Sequence, residues 1–223
     1  HQIYVTLGGK HVEGSPVQID VEDGGVSAEH SSVDRSGLEQ LVVGEEGMFS
    51  VQCNDCFGNA TESGVVSAKA SWRGSSKEEE EVKVVREGKG KHGCSVRPMQ
   101  VGKLEVQAFV DGELIGGVFV VNVTSGAACA ERSSVAVSPT SGLKVSGSAV
   151  VSIEARDRMG VRVERGEDAF EVEVLTEKGR RKLEVRDHHD GTYEARLVPE
   201  QAGKHQIYVT LGGKHVEGSP VQI

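Results

Sequence analysis

An internal repeat most constrains how this chain can fold. The stretch VPEQAGK at 198–204 aligns with RPMQVGK at 97–103, so the two copies lie 101 residues apart (198 − 97). Two divergent copies in tandem predict two structural units of one fold, each of which closes its own core. We name the predicted units module one, residues 20–124, and module two, residues 125–223.

Short segments in which apolar and polar residues alternate fill both modules. A period of two places every second side chain on one face of a β-strand, and turn-forming residues separate the segments. The segments of module two predict an antiparallel β-sandwich, so the predicted fold class is all-β. The residues predicted to face inward are Val135, Val137, Val151, Ile153, Ala155, Phe170, Val172, Val174, Leu183, Val185, Tyr193, Ala195, Leu197, Ile207, Val209, Leu211, Val221 and Ile223.

The chain begins with a copy of its own last residues. HQIYVTLGGKHVEGSPVQI stands at 1–19 and again, unchanged, at 205–223. Its glycine pair and its Gly-Ser-Pro turn predict two short strands, which are marginal in water unless they pack on something larger. The copies are separated by close to twice the repeat length, which favours the last strands of a preceding repeat in a tandem array. The alternative is donation of these strands to the sandwich of a neighbouring chain, with self-association through 1–19 and 205–223.

Composition and charge argue against several classes of function. The formal net charge is −9, whereas proteins that bind nucleic acid usually present a basic surface. No apolar run approaches the roughly 20 residues that a membrane-spanning helix needs. The sequence contains no G-x-S-x-G, no H-E-x-x-H and no phosphate-binding glycine loop. We therefore predict a non-enzymatic protein without cofactor, metal ion, nucleic-acid partner or membrane insertion.

Two of the four cysteines, Cys53 and Cys94, occupy inward-facing positions of neighbouring predicted strands. Two interpretations stay open: a buried cross-strand disulfide in an oxidising compartment, or two thiols that pack as small apolar side chains. Cys53 also begins a C-x-x-C motif with Cys56, but no second pair of cysteines or spaced histidines completes a zinc site.

The C-terminal part of module two resembles a filamin-type immunoglobulin-like repeat. The matching features are DGTY at 190–193, Pro199, Gly203, Gly212, Gly213 and GSP at 218–220, together with IEARDRMG at 153–160. Module one resembles the family less, because His92 replaces the tyrosine and GVF at 117–119 replaces Gly-Ser-Pro. The resemblance implies tandem immunoglobulin-like antiparallel β-sandwiches, with residues 1–19 as the last two strands of a third repeat.

The resemblance also implies a scaffold that binds other proteins or peptides. In such repeats a partner segment adds as a strand beside the third strand, and its apolar side chains enter a groove toward the fourth strand. Transferred to this sequence, the groove residues are Phe170, Val172, Val174, Leu183 and Val185 in module two, and Val66, Trp72, Val82 and Val84 in module one. Opposite charge runs, EEEE at 78–81 and RRK at 180–182, follow the third strands, either as solvated loops or as steering surfaces.

The compartment stays open. The resemblance implies a cytoskeletal or ciliary location inside the cell. The alternative is an adhesion module on the cell surface, such as a gamete surface, because Asn59 and Asn122 both begin N-glycosylation motifs. A third possibility is an accessory domain of an enzyme whose chemistry lies in other domains.

Overall fold

The structure is a computed structural model that describes residues 1–21, 24–74 and 79–223. Its regular elements are β-strands, apart from a turn of 3-10 helix at Ser36–Leu38. This confirms the predicted all-β class and its antiparallel sheets. In the described part of the chain, no helix combines the length and apolar character that crossing a bilayer requires.

Residues 1–19 form a small hairpin, which we name the N-terminal hairpin. Strand β1 (Gln2–Ile3) pairs with β4 (Val17–Gln18), and β2 (Thr6–Leu7) pairs with β3 (Lys10–His11). Gly8 and Gly9 form the turn between β2 and β3 with φ of 55° and 78°. Positive φ at both central positions is the conformation that a two-residue hairpin turn requires and that glycine adopts without strain.

The strands of module one form two sheets that face each other. The first sheet has the order β10-β11-β7-β5 and the second has the order β6-β13-β12-β8-β9. The fully buried residues Val51, Leu104, Val106 and Val110 lie in the core. The strand bounds are β5 (Val26–Asp34), β6 (Leu41–Val42), β7 (Gly47–Asp55), β8 (Val66–Trp72), β9 (Glu79–Glu80), β10 (Val82–Gly88), β11 (Lys91–Val96), β12 (Gly102–Val110) and β13 (Glu113–Thr124).

Module two repeats this arrangement. One sheet has the order β14-β15-β19-β18, and the other has the order β17-β16-β20-β21 with β22 also on β20. The strand bounds are β14 (Ser134–Ser138), β15 (Ala149–Glu154), β16 (Phe170–Thr176), β17 (Gly179–Leu183), β18 (Val185–Asp187), β19 (Thr192–Leu197), β20 (Gln206–Leu211), β21 (Lys214–His215) and β22 (Val221–Gln222). Residues 205–223, which hold β20 to β22, are named the C-terminal hairpin.

The core of module two is built from the residues that alternation places inward. Val151, Ala195, Leu197, Ile207 and Val209 are at most 1% exposed. Strand β20 therefore contributes two of the most deeply buried side chains of this module, and the C-terminal hairpin is an integral part of the sandwich.

The chain divides into two compact units. The last segment of the first unit ends at Val121, inside β13. The first unit comprises His1–Glu39, Gly47–Val96 and Leu104–Val121, and the second comprises Gln40–Glu46, Arg97–Lys103 and Asn122–Ile223.

The fourth strand of each module differs from the sequence prediction, which treated Leu183 and Val185 as one strand. In the structure, β17 ends at Leu183 in the sheet of β16, and β18 begins at Val185 in the sheet of β19. The chain therefore crosses between the two sheets at Glu184. Module one has the same crossing at Glu81, between β9 and β10.

Candidate functional site

The outer edge of strand β8 in module one is largely unpaired. On one side β8 pairs with β12 along its whole length, from Val66 to Trp72. On the other side β9 pairs only with Ala70 and Ser71. Among the residues that the structure describes, no strand pairs with residues 66–69 on that side. This stretch is an open sheet edge, to which a further strand can add.

The hydrogen bonds at the start of β8 fix which backbone groups face the open edge. Val65 N–H donates to Asp111 Oδ1 at 2.7 Å, and Val65 C=O accepts from Asp111 N–H at 2.9 Å. The backbone N–H and C=O groups of Val65 therefore face the β12 side. Because backbone groups alternate in direction along an antiparallel strand, the N–H and C=O groups of Val66 and Ala68 face the open edge.

Apolar side chains line the space beside this edge. Val66 and Ala68 on β8 are half-buried, as are Val82 and Val84 on β10, the strand that lies against β8 in the opposite sheet. At the rim, Val65 is 71% exposed. The result is a shallow apolar groove next to unpaired backbone groups.

Trp72 closes one end of this groove. Its ring is buried with 6% exposure, and its Nε1–H donates to Glu80 Oε1 on β9 at 3.1 Å. The predicted groove residue Trp72 is thus a core residue that anchors β9 to β8. Ala68, which sequence reasoning did not single out, occupies the centre of the open edge, and a lone alanine carries no signal that would have identified it.

The equivalent edge in module two is closed by the chain itself. Strand β17 pairs with β16 from Val172↔Leu183 to Thr176↔Gly179. Val209 on β20 lies opposite Val172. The Val209 N–H donates to Ser219 Oγ at 2.9 Å, and the Val209 C=O accepts from Val216 N–H, so the backbone groups of Val209 face away from β16. Val172 therefore directs its own backbone groups toward β17.

The groove predicted for module two is therefore not open in the structure, because β17 pairs with β16. Phe170, Val172 and Val174 are 6%, 1% and 2% exposed and belong to the core. Leu183 and Val185 are half-buried and pack against the same core. No free edge remains from 172 to 176, because β17 occupies the place that a partner strand would take.

Cross-strand ion pairs hold β17 on β16. Arg180 lies 3.2 Å from Glu173, and Lys182 lies 2.7 Å from Glu171. The Glu171 carboxylate raises the pKa of Lys182, and the Arg180 guanidinium lies 4.9 Å from the centre of the Tyr208 ring. The alternation of Glu171 and Glu173 with Arg180 and Lys182 across a glycine turn is a hairpin signal that sequence reasoning missed. In the opposite run at 78–81, Glu78 lies outside the described residues.

The sheet register excludes a Cys53–Cys94 disulfide. Cys94 pairs with Phe49, which lies four residues before Cys53 on the same strand (53 − 49). Four residues along a strand span about 13 Å, about twice the Cα separation that a disulfide bridges. Burial raises the pKa of Cys53, and it raises the pKa of Cys94 to about 11. Both residues are buried thiols, the second of the two interpretations.

The glycosylation motifs lie in different surroundings. Asn59 is exposed, but its Nδ2 donates to Asp55 Oδ2 at 3.1 Å, and Thr61 of the motif is 1% exposed. Asn122 and Thr124 are both exposed on β13. Glycosylation itself stays a prediction, with Asn122 the more accessible position. Within the described residues, no group of three or more His, Cys, Asp or Glu side chains is placed to hold a metal ion.

Solved structures with the same architecture include bacterial surface proteins. The Escherichia coli adhesin FdeC aligns with a TM-score of 0.71 and 16% identity, covering 100% of this chain and 72% of the adhesin. Invasin, a bacterial integrin-binding protein, aligns with a TM-score of 0.61 and 16% identity, covering 90% of this chain and 40% of invasin. At these identities the likeness shows the fold alone.

Sequence comparison identifies the family. Filamin-C of Rattus norvegicus is 26% identical over 230 residues, an alignment that covers 100% of this chain and 8% of the relative. The chain thus spans a small part of that relative's length. The family model described as Filamin/ABP280 repeat matches residues 25–118 and 127–222. Because these tandem matches cover most of the sequence, the chain belongs to the filamin repeat family.

Proposed function

We propose that this chain is a protein-interaction scaffold in which module one binds an extended peptide as an additional strand on β8. The observation that carries this proposal is the open edge at residues 66–69, beside the half-buried apolar side chains of Val82 and Val84. The filamin repeat is a structural, non-enzymatic domain, which agrees with a binding role.

Strand addition uses both parts of the site. A partner backbone in extended conformation pairs with the free N–H and C=O groups of Val66 and Ala68, which removes an exposed edge. Residues 66–69 offer about 13 Å of edge, enough for a short stretch of partner strand. Every second partner side chain then points into the groove between β8 and β10, where burial of an aliphatic side chain contributes about 1.5–3 kcal/mol.

The charges around the groove define the chemistry of the partner. Glu79 in β9 and Glu81 directly after it are exposed at the closed end of the site, and the whole chain carries a formal charge of −9. We expect a segment with aliphatic residues at alternating positions and basic residues at the end that lies near β9. Such complementarity steers association and fixes the register of the added strand.

A titration tests the proposal. The probe is a synthetic peptide of alternating valine and threonine with two lysines at one end, added to isotope-labelled protein and followed by NMR. We expect shift changes on β8 and β10 in the wild type, and affinity at least about tenfold lower in Ala68→Glu, which puts a charge into the groove. The matched control is Ser67→Glu, which adds the same charge to the exposed outer face of β8. Equal binding by both variants, or shifts outside β8 and β10, would contradict the proposal.

A second candidate is an adhesion module on the outside of a cell. The specific observation in its favour is the exposure of both Asn122 and Thr124, the residues that an N-glycosylation motif must present. Intact mass measurement of the protein from its natural source separates the two candidates. A glycan on Asn122 places the chain in the secretory pathway, whereas an unmodified asparagine leaves the intracellular scaffold as the favoured function.

A further inference from the structure

Strand β13 lies on the opposite side of the sheet from β8. In this sheet β12 pairs with one side of β13, and on the other side β6 pairs only with Val123 and Thr124. Among the residues that the structure describes, no strand pairs with positions 113–122 on that side. At 12 residues, β13 is also the longest strand of the described ranges. Most of a long sheet edge is therefore open.

The pairing with β6 shows which backbone groups of β13 face this edge. Val43 N–H donates to Thr124 C=O at 2.9 Å, so the backbone groups of Thr124 face the β6 side. Because these groups alternate in direction along a strand, the N–H and C=O groups of Val118, Val120 and Asn122 face the same side. In the described structure no strand covers that side before β6, so a further strand can pair with these groups.

The side chains of β13 are apolar on both faces. Phe119 and Val121 are 8% and 3% exposed and belong to the core, whereas Val118 and Val120 are each 47% exposed. The outer face of β8, at the other side of the sheet, carries Lys69 instead. Two exposed valines in an open edge strand form an apolar surface that another strand can cover.

The edge lacks the features that normally keep sheet edges apart. Open edges are usually protected by charged side chains or by proline. The edge strand β10 of the same module, for example, carries Lys83, Arg86 and Glu87. From position 114 to position 130 the sequence contains no charged residue and no proline. A second copy of this chain carries the same formal charge of −9, so repulsion between copies is weakest along such an uncharged surface.

The two ends of the open stretch set the register in which another strand can pair. Strand β6 occupies the edge from Val123 onward. On the other side, Gly116 and Gly117 have φ of 64° and 73° and depart from the extended backbone. The part that can accept a strand is therefore residues 118–122, whose midpoint is Val120. An antiparallel strand from a second copy that uses the same five residues pairs about a two-fold axis at Val120.

We propose that two copies of this chain associate through this edge, with β13 of each copy antiparallel to β13 of the other. Val120 then lies opposite Val120 of the partner subunit, and Val118 lies opposite Asn122 of the partner subunit, so no like charges meet. The two sheets become one continuous sheet, which presents the proposed β8 site twice. Formation of the dimer does not depend on peptide binding at β8. A glycan on Asn122 would fill this interface, so the dimer requires an unmodified asparagine.

Light scattering over a concentration series tests the proposal on the unmutated chain. Because pairing of five residues is a small interface, we expect a dissociation constant on the order of 0.1 mM. The mass should rise from 23.7 kDa toward twice that value. Val120→Glu sets two carboxylates opposite each other at the axis, so we expect at least about tenfold weaker association. The matched control is Gln107→Glu on β12, which adds the same charge opposite Lys69, away from the edge, and should associate like the unmutated chain.

Amide exchange in the unmutated chain supplies a second readout that needs no variant. The Val120 N–H faces the open edge, whereas the Phe119 N–H faces β12. We therefore expect exchange of the Val120 amide to slow as the concentration rises, while the Phe119 amide stays unchanged. Trp72 fluorescence checks that both variants are folded, and we expect both to bind the alternating valine–threonine peptide at β8 as the unmutated chain does.

Three results would overturn the proposal. The first is the mass of a single chain at every concentration up to about 1 mM. The second is equal association by Val120→Glu and Gln107→Glu. The third is concentration-dependent protection of β8 amides in place of Val120, which means that the copies meet at the peptide-binding edge. If Val120→Glu does not fold, exchange of Val120 in the unmutated chain decides. Failure of the peptide titration alone contradicts the β8 site and leaves the dimer standing, because the two edges are separate.

Discussion

The two modules divide the same crossing strand differently between their sheets. In module one the part that pairs with the third strand, β9, has 2 residues, and the part in the opposite sheet, β10, has 7. In module two the corresponding parts, β17 and β18, have 5 and 3 residues. The crossing point, Glu81 in one module and Glu184 in the other, therefore decides how much of the third strand is covered.

The difference shows how one fold can either leave the edge of its third strand open or cover it with the chain itself. An early crossing leaves residues 66–69 of β8 without a partner strand, whereas a late crossing covers residues 172–176 of β16. Complementary charges accompany the late crossing, since Glu171 and Glu173 face Lys182 and Arg180. In β8 the outward positions carry Ser67, Lys69 and Ser71, a single charge where β16 carries the two carboxylates that form ion pairs with β17.

The largest expected effect comes from placing the same charge at equivalent positions of the two third strands. Val172→Glu buries a carboxylate in the core of module two, so we expect its free energy of unfolding to fall by about 3 kcal/mol or more. Ala68→Glu lies at the open groove, so we expect a loss of stability below about 1 kcal/mol. Denaturant unfolding checks both, with Trp72 fluorescence reporting on module one and NMR signals of β15 on module two. Similar losses in both modules would show that the β8 edge is not open.

An intermediate effect is expected from loosening β17. Charge reversal of Arg180 and Lys182 in one variant removes two exposed ion pairs and sets like charges against Glu173 and Glu171. Such pairs contribute up to about 1 kcal/mol each, so the cost to module two is of this order. We expect this variant to bind the alternating valine–threonine peptide at β16, and we expect no such binding by the wild type.

The control for this change is Arg181→Glu. Arg181 pairs with Glu200, away from β16, at 3.4 Å. The Arg181→Glu substitution changes the charge on the same strand and leaves the two ion pairs between β16 and β17 intact. Peptide binding at β16 by Arg181→Glu as well would mean that net charge, and not the release of β17, controls access.

The smallest expected effect is the alkaline sensitivity that Cys94 gives to module one. Burial raises the pKa of Cys94 from 9.0 to about 11. The unfolded chain loses this proton first as the pH rises, so the stability of module one falls between pH 9 and pH 11. Module two carries Ala195 at this position and has no thiol there, although burial raises the pKa of Tyr193 in its core. The slope of stability against pH, followed by Trp72 fluorescence, should become shallower in Cys94→Ala; an unchanged slope would contradict the assignment.

The sequence was informative wherever a pattern is local. Alternation located the strands, and the glycine pair of residues 1–19 predicts the hairpin turn that the structure shows. The choice between a disulfide and two thiols stayed open in the sequence because inward direction is visible there, whereas the register that places Cys94 opposite Phe49 depends on pairing between distant segments. The groove prediction failed in module two because the crossing at Glu184 depends on a balance of weak cross-strand contacts.

Amide hydrogen exchange at two equivalent residues tests the central claim most directly. The N–H of Ala68 faces the open edge of β8, and the N–H of Val172 faces β17 in the closed module. We predict that Ala68 exchanges at least about a hundredfold faster than Val172, because opening of a paired strand costs free energy that an unpaired edge does not require. Equal protection of the two amides, whether both are fast or both are slow, would contradict the division of the chain into an open and a closed module.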